Sequence, residues 1–61
     1  MYSIFWQTVI PYKHGEIIGF LYGSLNLVTR GIETREVAEA RVATLNRESN
    51  GRVLYTYALD S

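Results

Sequence analysis

The chain has 61 residues, six basic and six acidic side chains, no net charge and no cysteine. This length allows one domain near the lower size limit for independent folding, and such chains usually need a partner or a staple. Without cysteine and with one histidine, the sequence excludes disulfides and a structural zinc site, so self-association is the simplest source of additional burial. The neutral charge argues against a strong field for nucleic acid or acidic membranes.

Residues 2–10 predict the first strand because they are rich in aromatic and β-branched types. Pro11 is predicted to end this strand, and residues 12–15 are predicted to form the turn of an antiparallel hairpin. The alternation of a strand places five side chains on one face: Tyr2, Ile4, Trp6, Thr8 and Ile10.

Residues 16–28 predict a second strand, bent at Gly19 or Gly23, because glycine inside a strand marks a bulge, a bend or a close backbone approach. A competing interpretation is a helix with a Gly-x-x-x-Gly face, but two glycines cost a helix about 2 kcal/mol. The longest uncharged apolar run, residues 17–28, is too short to span a bilayer, so we expect a soluble, cytoplasmic protein. Four side chains are expected to share one face of this strand: Ile17, Leu21, Leu25 and Leu27.

Residues 34–49 predict an amphipathic helix. Thr34 can cap its N-terminus by accepting a bond from the backbone N–H of residue 36 or 37. Asn50 and Gly51 tolerate the left-handed conformation that ends helices. The apolar stripe of the helix consists of Val37, Ala38, Val42 and Leu45.

Arg41 is an exception within the helix, because it lies between the directions of Val37 and Leu45. Its stem could cover apolar surface while the guanidinium reaches water or Glu48. Alternatively, it could face a partner, since arginine is common in protein interfaces.

Residues 52–59 predict the third strand, with Val53, Tyr55, Tyr57 and Leu59 on one face. The predicted fold is α+β: a single ββαβ domain over residues 1–61, with a three-stranded, mostly antiparallel sheet and one helix on one face. A single helix leaves the other face open, and an exposed apolar face marks a partner site. That face is expected to bear several of Tyr2, Trp6, Phe20, Tyr22, Tyr55 and Tyr57.

The sequence carries no recognisable catalytic or metal-binding pattern. His14 is a lone turn histidine of the kind that is usually solvated. Glu33, Glu36 and Glu39 at the helix start are explained by the helix dipole and by solvation better than by acid–base chemistry. No phosphate loop follows Gly23. We therefore expect no enzyme activity, no cofactor and no small-molecule substrate.

Two N-terminal strands are followed by an alanine-rich helix ending in Leu45 and Asn46, and then by Gly51 and a Tyr55-x-Tyr57 strand. This arrangement resembles short accessory proteins of bacteriophages and prophages. The resemblance is architectural and covers most of the chain. It implies a host-takeover or anti-defence factor, anti-CRISPR proteins among them, that acts by binding one host protein.

We interpret the chain as a non-enzymatic protein-interaction module that binds itself as a homodimer, a host protein, or both. The candidate partner-binding residues are Trp6, Tyr22, Arg41, Tyr55 and Tyr57. The alternative is a small nucleic-acid-binding regulator that uses the same face with Lys13, Arg30 and Arg52. Against that alternative, the chain lacks the aromatic run of RNA-stacking sheets and has no net charge. A third interpretation is a structural protein without a soluble ligand.

Overall fold

The computed structural model describes residues 1–60, and within them it contains one helix and an antiparallel sheet of four strands. The α+β class and the single helix are therefore confirmed, and the sheet has one strand more than expected. The elements in chain order are β1 (Tyr2–His14), β2 (Ile17–Tyr22), β3 (Asn26–Ile32), α1 (Arg35–Ser49) and β4 (Val53–Leu59).

β1 is the organising strand, because each of the other strands pairs with it in the antiparallel sense. Its first half is flanked by β3, from Tyr2 to Trp6, and by β4, from Tyr2 to Thr8. These two strands pair with the same residues and must therefore lie on opposite sides of β1. The second half of β1 pairs with β2 alone, through a turn that contains Gly15 with a φ of 62°. Residues 9–22 thus form a two-stranded extension, called here the arm.

The prediction that Pro11 ends the first strand is wrong, since β1 continues to His14. Within β1 the backbone groups of successive residues point to opposite sides. The Thr8 carbonyl accepts from Gly23 N on the β2 side, and Val9 N donates to the Arg52 carbonyl on the β4 side. The nitrogen of Pro11 therefore points to the same side of β1 as that of Val9, away from β2. On that side β4 does not extend as far as Pro11. Proline is tolerated there because no ladder bond is lost.

The predicted second strand is divided into β2 and β3 by residues 23–25. Tyr22 lies opposite Val9 before this break, and Asn26 lies opposite Trp6 after it. The chain advances four positions while β1 advances three, so the register slips by one residue. A slip of one residue moves the following side chains to the other face. The four apolar residues expected on one face are therefore separated: Leu21 lies opposite Ile10, and Leu27 lies opposite Phe5.

Gly23 stands at this break for a steric reason. A β-carbon at position 23 would collide with the hydroxyl of Thr8. A larger residue at this position would force the Thr8 side chain to another rotamer, whereas glycine leaves it in place.

α1 begins and ends as the sequence predicts. The Thr34 hydroxyl accepts from the backbone N–H of Val37 at 3.3 Å, which satisfies one of the free donors of the first turn. Asn50 (φ 55°) and Gly51 (φ 79°) adopt the left-handed conformation that turns the chain into β4.

The helix covers one face of the sheet and packs mainly on β1 and β4. This face carries Tyr2, Ile4 and Trp6 of β1 together with the cross-strand residues Tyr55 and Tyr57 of β4. The buried core is small, and several half-buried side chains surround it. Buried are Ile4, Ile32 and Ala38; half-buried around them are Tyr2, Val42, Leu45, Tyr55 and Tyr57.

Candidate functional site

The face of the sheet away from the helix core carries apolar side chains from all four strands, with polar residues such as Ser3 and Gln7 between them. Cross-strand partners share a face, so the residues opposite Phe5, Gln7, Val9 and Pro11 lie together on it. We call this surface the open face, and it consists of Phe5 and Val9 of β1, Phe20 and Tyr22 of β2, Leu27 of β3 and Leu54 of β4. Its existence agrees with the prediction of a face without cover.

The apolar side chains of the arm are strongly exposed on both of its faces. Ile18, Ile17 and Phe20 expose 76%, 64% and 58% of their surface, and Ile10, Leu21 and Tyr22 also expose more than half. These side chains are distributed over both faces of the ribbon, so neither face is fully polar. An isolated two-stranded ribbon is marginally stable in water, and contiguous exposed apolar surface marks an interaction site.

A shallow depression of about 370 Å³ lies where the arm joins the sheet. Val9, Phe20, Tyr22 and Leu54 of the open face contribute to its lining, together with Asn46 near the end of the helix. Its walls are mainly apolar, with the polar groups of the helix end at the border. Such a depression can receive an apolar side chain of a partner.

A second depression, of about 470 Å³, lies between α1 and β3. It exists because the helix packs more closely on β4 than on β3. Ile4 and Val28 from the sheet, and Ala40, Thr44 and Leu45 from the helix, contribute to its lining. Arg41 also lines it and is exposed. Among residues 1–60 the ion pair is that of Arg35 with Glu39, so Arg41 forms none with Glu48.

The structure does not bring the five candidate partner-binding residues into one surface. Tyr55 and Tyr57 are half-buried against the core, and Trp6 is half-buried on the same side. Tyr22 lies on the open face, and Arg41 lies on the helix. Of the six aromatic side chains expected on the uncovered face, Phe20 and Tyr22 lie on it.

Tyr57 is held by a three-way polar contact at the start of the helix. Its hydroxyl donates to Glu39 Oε1 at 2.6 Å, and Arg35 Nε donates to the same oxygen at 2.8 Å and to the Tyr57 hydroxyl at 3.3 Å. The bond from Tyr57, followed by that from Arg35, lowers the pKa of Glu39. The bonds to Tyr57 and to Glu39 raise the pKa of Arg35. This cluster joins α1 to β4 and has a structural role.

The three cationic residues of the nucleic-acid alternative are dispersed. Lys13 lies near the tip of the arm, opposite Ile18, whereas Arg30 lies in β3 between the partners of Tyr2 and Ile4. At about 3.3 Å per residue, the two positions are about 30 Å apart along β1. Arg52 lies between them, next to Val9. A phosphate backbone would meet single cations here, not a basic patch.

The residues that sequence reasoning missed are Ile17, Ile18 and Leu21, which were treated as strand residues and not as a surface. A signal was present, because a hairpin with apolar side chains on both faces needs cover on both, and the sequence predicts a single helix. The sequence alone did not show that the helix lies elsewhere.

Other chemistry finds little support in the structure. Residues 1–60 contain no group of three or more His, Cys, Asp or Glu side chains placed to hold a metal ion. The helix in this part of the chain lacks the length and apolar character needed to cross a membrane. Comparison of the chain with protein-family models, curated proteins and solved structures found no match.

Proposed function

We propose that the chain is a non-enzymatic protein-interaction module that binds a host-cell protein through the open face, mainly at the arm. The observation that carries this proposal is the exposure of Phe20 and Tyr22 beside an apolar depression on a ribbon that the helix does not cover. Aromatic side chains next to a pocket are the usual anchors of protein interfaces.

The mechanism of such a module is steric. The partner would cover the open face and insert an apolar side chain into the depression lined by Val9 and Leu54. The polar groups of Asn46 and Ser49 at the border would form the rim. Binding would depend on apolar area, because the cations of the chain are dispersed. A cytoplasmic phage or prophage factor that occupies a host protein in this way is consistent with the resemblance noted above.

The test is affinity capture from host lysate with the wild-type chain and with the double variant Phe20→Ala, Tyr22→Ala. We expect the wild type to retain a protein equally well at low and at high salt, because burial of apolar surface is not screened. The double variant should bind at least about thirtyfold more weakly, as expected when interface anchors are truncated.

The matched control is Val37→Ala, which truncates an exposed apolar side chain of the helix that lies outside the open face. This variant should retain the partner as the wild type does. Retention of the same protein by the double variant would contradict the proposal. Binding that disappears on nuclease treatment or falls steeply with salt would instead support the nucleic-acid alternative.

A further inference from the structure

The free edges of the sheet differ in how well they are protected against pairing with another chain. An edge strand exposes unpaired N–H and C=O groups, and monomeric proteins protect such edges with charge, proline, bulges or a covering element. The free edges are those of β4, β3, the distal half of β1 and β2. The first three carry such a device. The outer edge of β2 carries none.

The outer edge of β4 is covered by side chains from the end of the helix. Asn46 accepts from the backbone nitrogen of Tyr55 at 2.8 Å and donates to its carbonyl at 3.0 Å. Ser49 donates to the Val53 carbonyl at 3.0 Å. These bonds occupy outward backbone groups of Val53 and Tyr55, in the first half of β4.

The edges of β3 and of the distal half of β1 are protected differently. β3 carries Arg30 and Gly31 (φ 78°), and its register against β1 shifts twice. The distal half of β1 turns Pro11 and Lys13 toward its free side, one without an N–H and one charged. Both are common protections of an edge.

β2, with the sequence IIGFLY, has no charge, no proline and no register shift. Because Gly23 N donates to β1, the alternating residues Leu21, Gly19 and Ile17 also point their backbone groups inward. The N–H and C=O groups of Ile18, Phe20 and Tyr22 therefore point outward, where no strand of the described residues meets them. This edge is a ready template for another strand.

The dimensions of the chain indicate how much surface is left to cover. Its accessible surface is 4777 Å², against about 4,000 Å² expected for a compact monomer of its mass. The difference of about 750 Å² is close to the roughly 800 Å² that each partner contributes to a standard protein interface. The radius of gyration is 13.4 Å, against about 10–11 Å for a compact chain of this length, because the arm projects.

We propose that this surplus is covered by a second copy of the chain, and that the two copies pair antiparallel along their β2 edges about a two-fold axis at Phe20. In this arrangement Phe20 faces its own symmetry mate and Ile18 faces Tyr22 of the other copy. The two arms then form one continuous four-stranded sheet. Because the chain has no net charge, two copies do not repel each other through their overall charge. The pairing uses the backbone edge of β2 and leaves the side chains of Phe20 and Tyr22 on the open face of the enlarged sheet, so the Phe20→Ala, Tyr22→Ala variant does not test it.

The first test is amide hydrogen exchange on the wild-type protein, together with its mass by light scattering across a hundredfold dilution. We expect a dimer in which the amides of Ile18, Phe20 and Tyr22 are protected, although they point away from β1, the strand that pairs with β2 among residues 1–60. The amide of Lys13, on the free edge of β1, serves as the internal control and should exchange rapidly. A monomer at every concentration, or rapid exchange of all four amides in a dimer, would overturn the proposal.

The second test compares Ile18→Pro with Ile18→Ala. Proline at position 18 removes an N–H that points away from β1, just as Pro11 lacks one on the other side of the arm, so the hairpin ladder stays intact. We expect Ile18→Pro to raise the dissociation constant of the dimer about a hundredfold, because the two-fold axis removes the bond from both copies and each is worth about tenfold. Ile18→Ala keeps the N–H and should remain dimeric.

Equal association of the two variants would show that the contact does not depend on this backbone edge. The outcome would then overturn the proposed pairing and leave the proposed host binding untouched. Capture of a host protein by a strictly monomeric chain would likewise refute the dimer alone, so the two proposals fail separately.

Discussion

At the scale of single residues, Glu39 shows how the fold changes the role of a side chain. The sequence explains this carboxylate by its position near the positive end of the helix dipole. The structure adds the Tyr57 hydroxyl and Arg35 as donors to one of its oxygens, which hold its pKa below the ordinary value. Glu39 therefore favours the folded state most when it is ionised.

The sign of the pH dependence follows from that direction. A carboxyl whose pKa is lower in the folded state contributes stability above its unfolded value, near pH 4.5, and loses it as the pH falls through the folded value. We expect Glu39→Gln to lower the free energy of unfolding at pH 7 and to reduce its loss between pH 5 and pH 3. Urea unfolding at these pH values, followed by circular dichroism, measures both effects.

Glu48→Gln is the control, since it removes an acidic side chain of the same helix that forms no ion pair among residues 1–60. Its pH dependence should match that of the wild type. If Glu39→Gln and Glu48→Gln change the loss of unfolding free energy between pH 5 and pH 3 equally, the bond from Tyr57 to Glu39 does not stabilise the fold.

At the scale of elements, the end of α1 is joined to β4 by the side chain of Asn46. This amide replaces a neighbouring strand at Tyr55, where it satisfies both backbone groups. The two bonds are partly buried and link residues nine apart in sequence. Since the helix covers the sheet incompletely, this connection fixes where its C-terminal end lies.

We expect Asn46→Ala to destabilise the fold by about 2 kcal/mol, because two backbone groups lose their partner at once. Equilibrium unfolding in urea gives this value at fixed protein concentration. Thr44→Ala is the comparison, since the Thr44 hydroxyl donates to the Ala40 carbonyl within the same helix. If Asn46→Ala loses no more free energy of unfolding than Thr44→Ala, water can satisfy the backbone groups of Tyr55 in place of the Asn46 amide.

At the scale of the whole molecule, the core is small for the length of the chain. Among residues 1–60, three apolar residues are buried, and Ile4 is the one large side chain that is fully enclosed. A chain of 61 residues has a total stability of about 3–9 kcal/mol, so a single core position matters. Covering the arm would add burial that the isolated chain lacks.

Ile4→Ala should cost about 3 kcal/mol, because it removes buried methyl groups and leaves a cavity. We expect a folded fraction that falls visibly at 37 °C in thermal unfolding followed by circular dichroism. Leu59→Ala truncates a side chain that is 66% exposed and should change the stability by less than about 0.5 kcal/mol. A similar loss for both variants would mean that Ile4 is not the centre of the core.

Local sequence patterns correctly predict the helix with both of its caps, the hairpin turn at Gly15, and the α+β class. These features depend on local propensity, on periodicity and on left-handed positions, all of which act over a few neighbouring residues. The sequence also indicates that one helix would leave a sheet face open.

The identity of the side chains on that face depends instead on how the strands pair. The slip of register at residues 23–25 moved Leu27 to the other side, and pairing placed Tyr55 and Tyr57 under the helix. Pro11 stays inside a strand because its nitrogen points to a side where β4 has already ended. Register and edge occupancy depend on pairing between residues far apart in sequence, and local patterns carry no information about either.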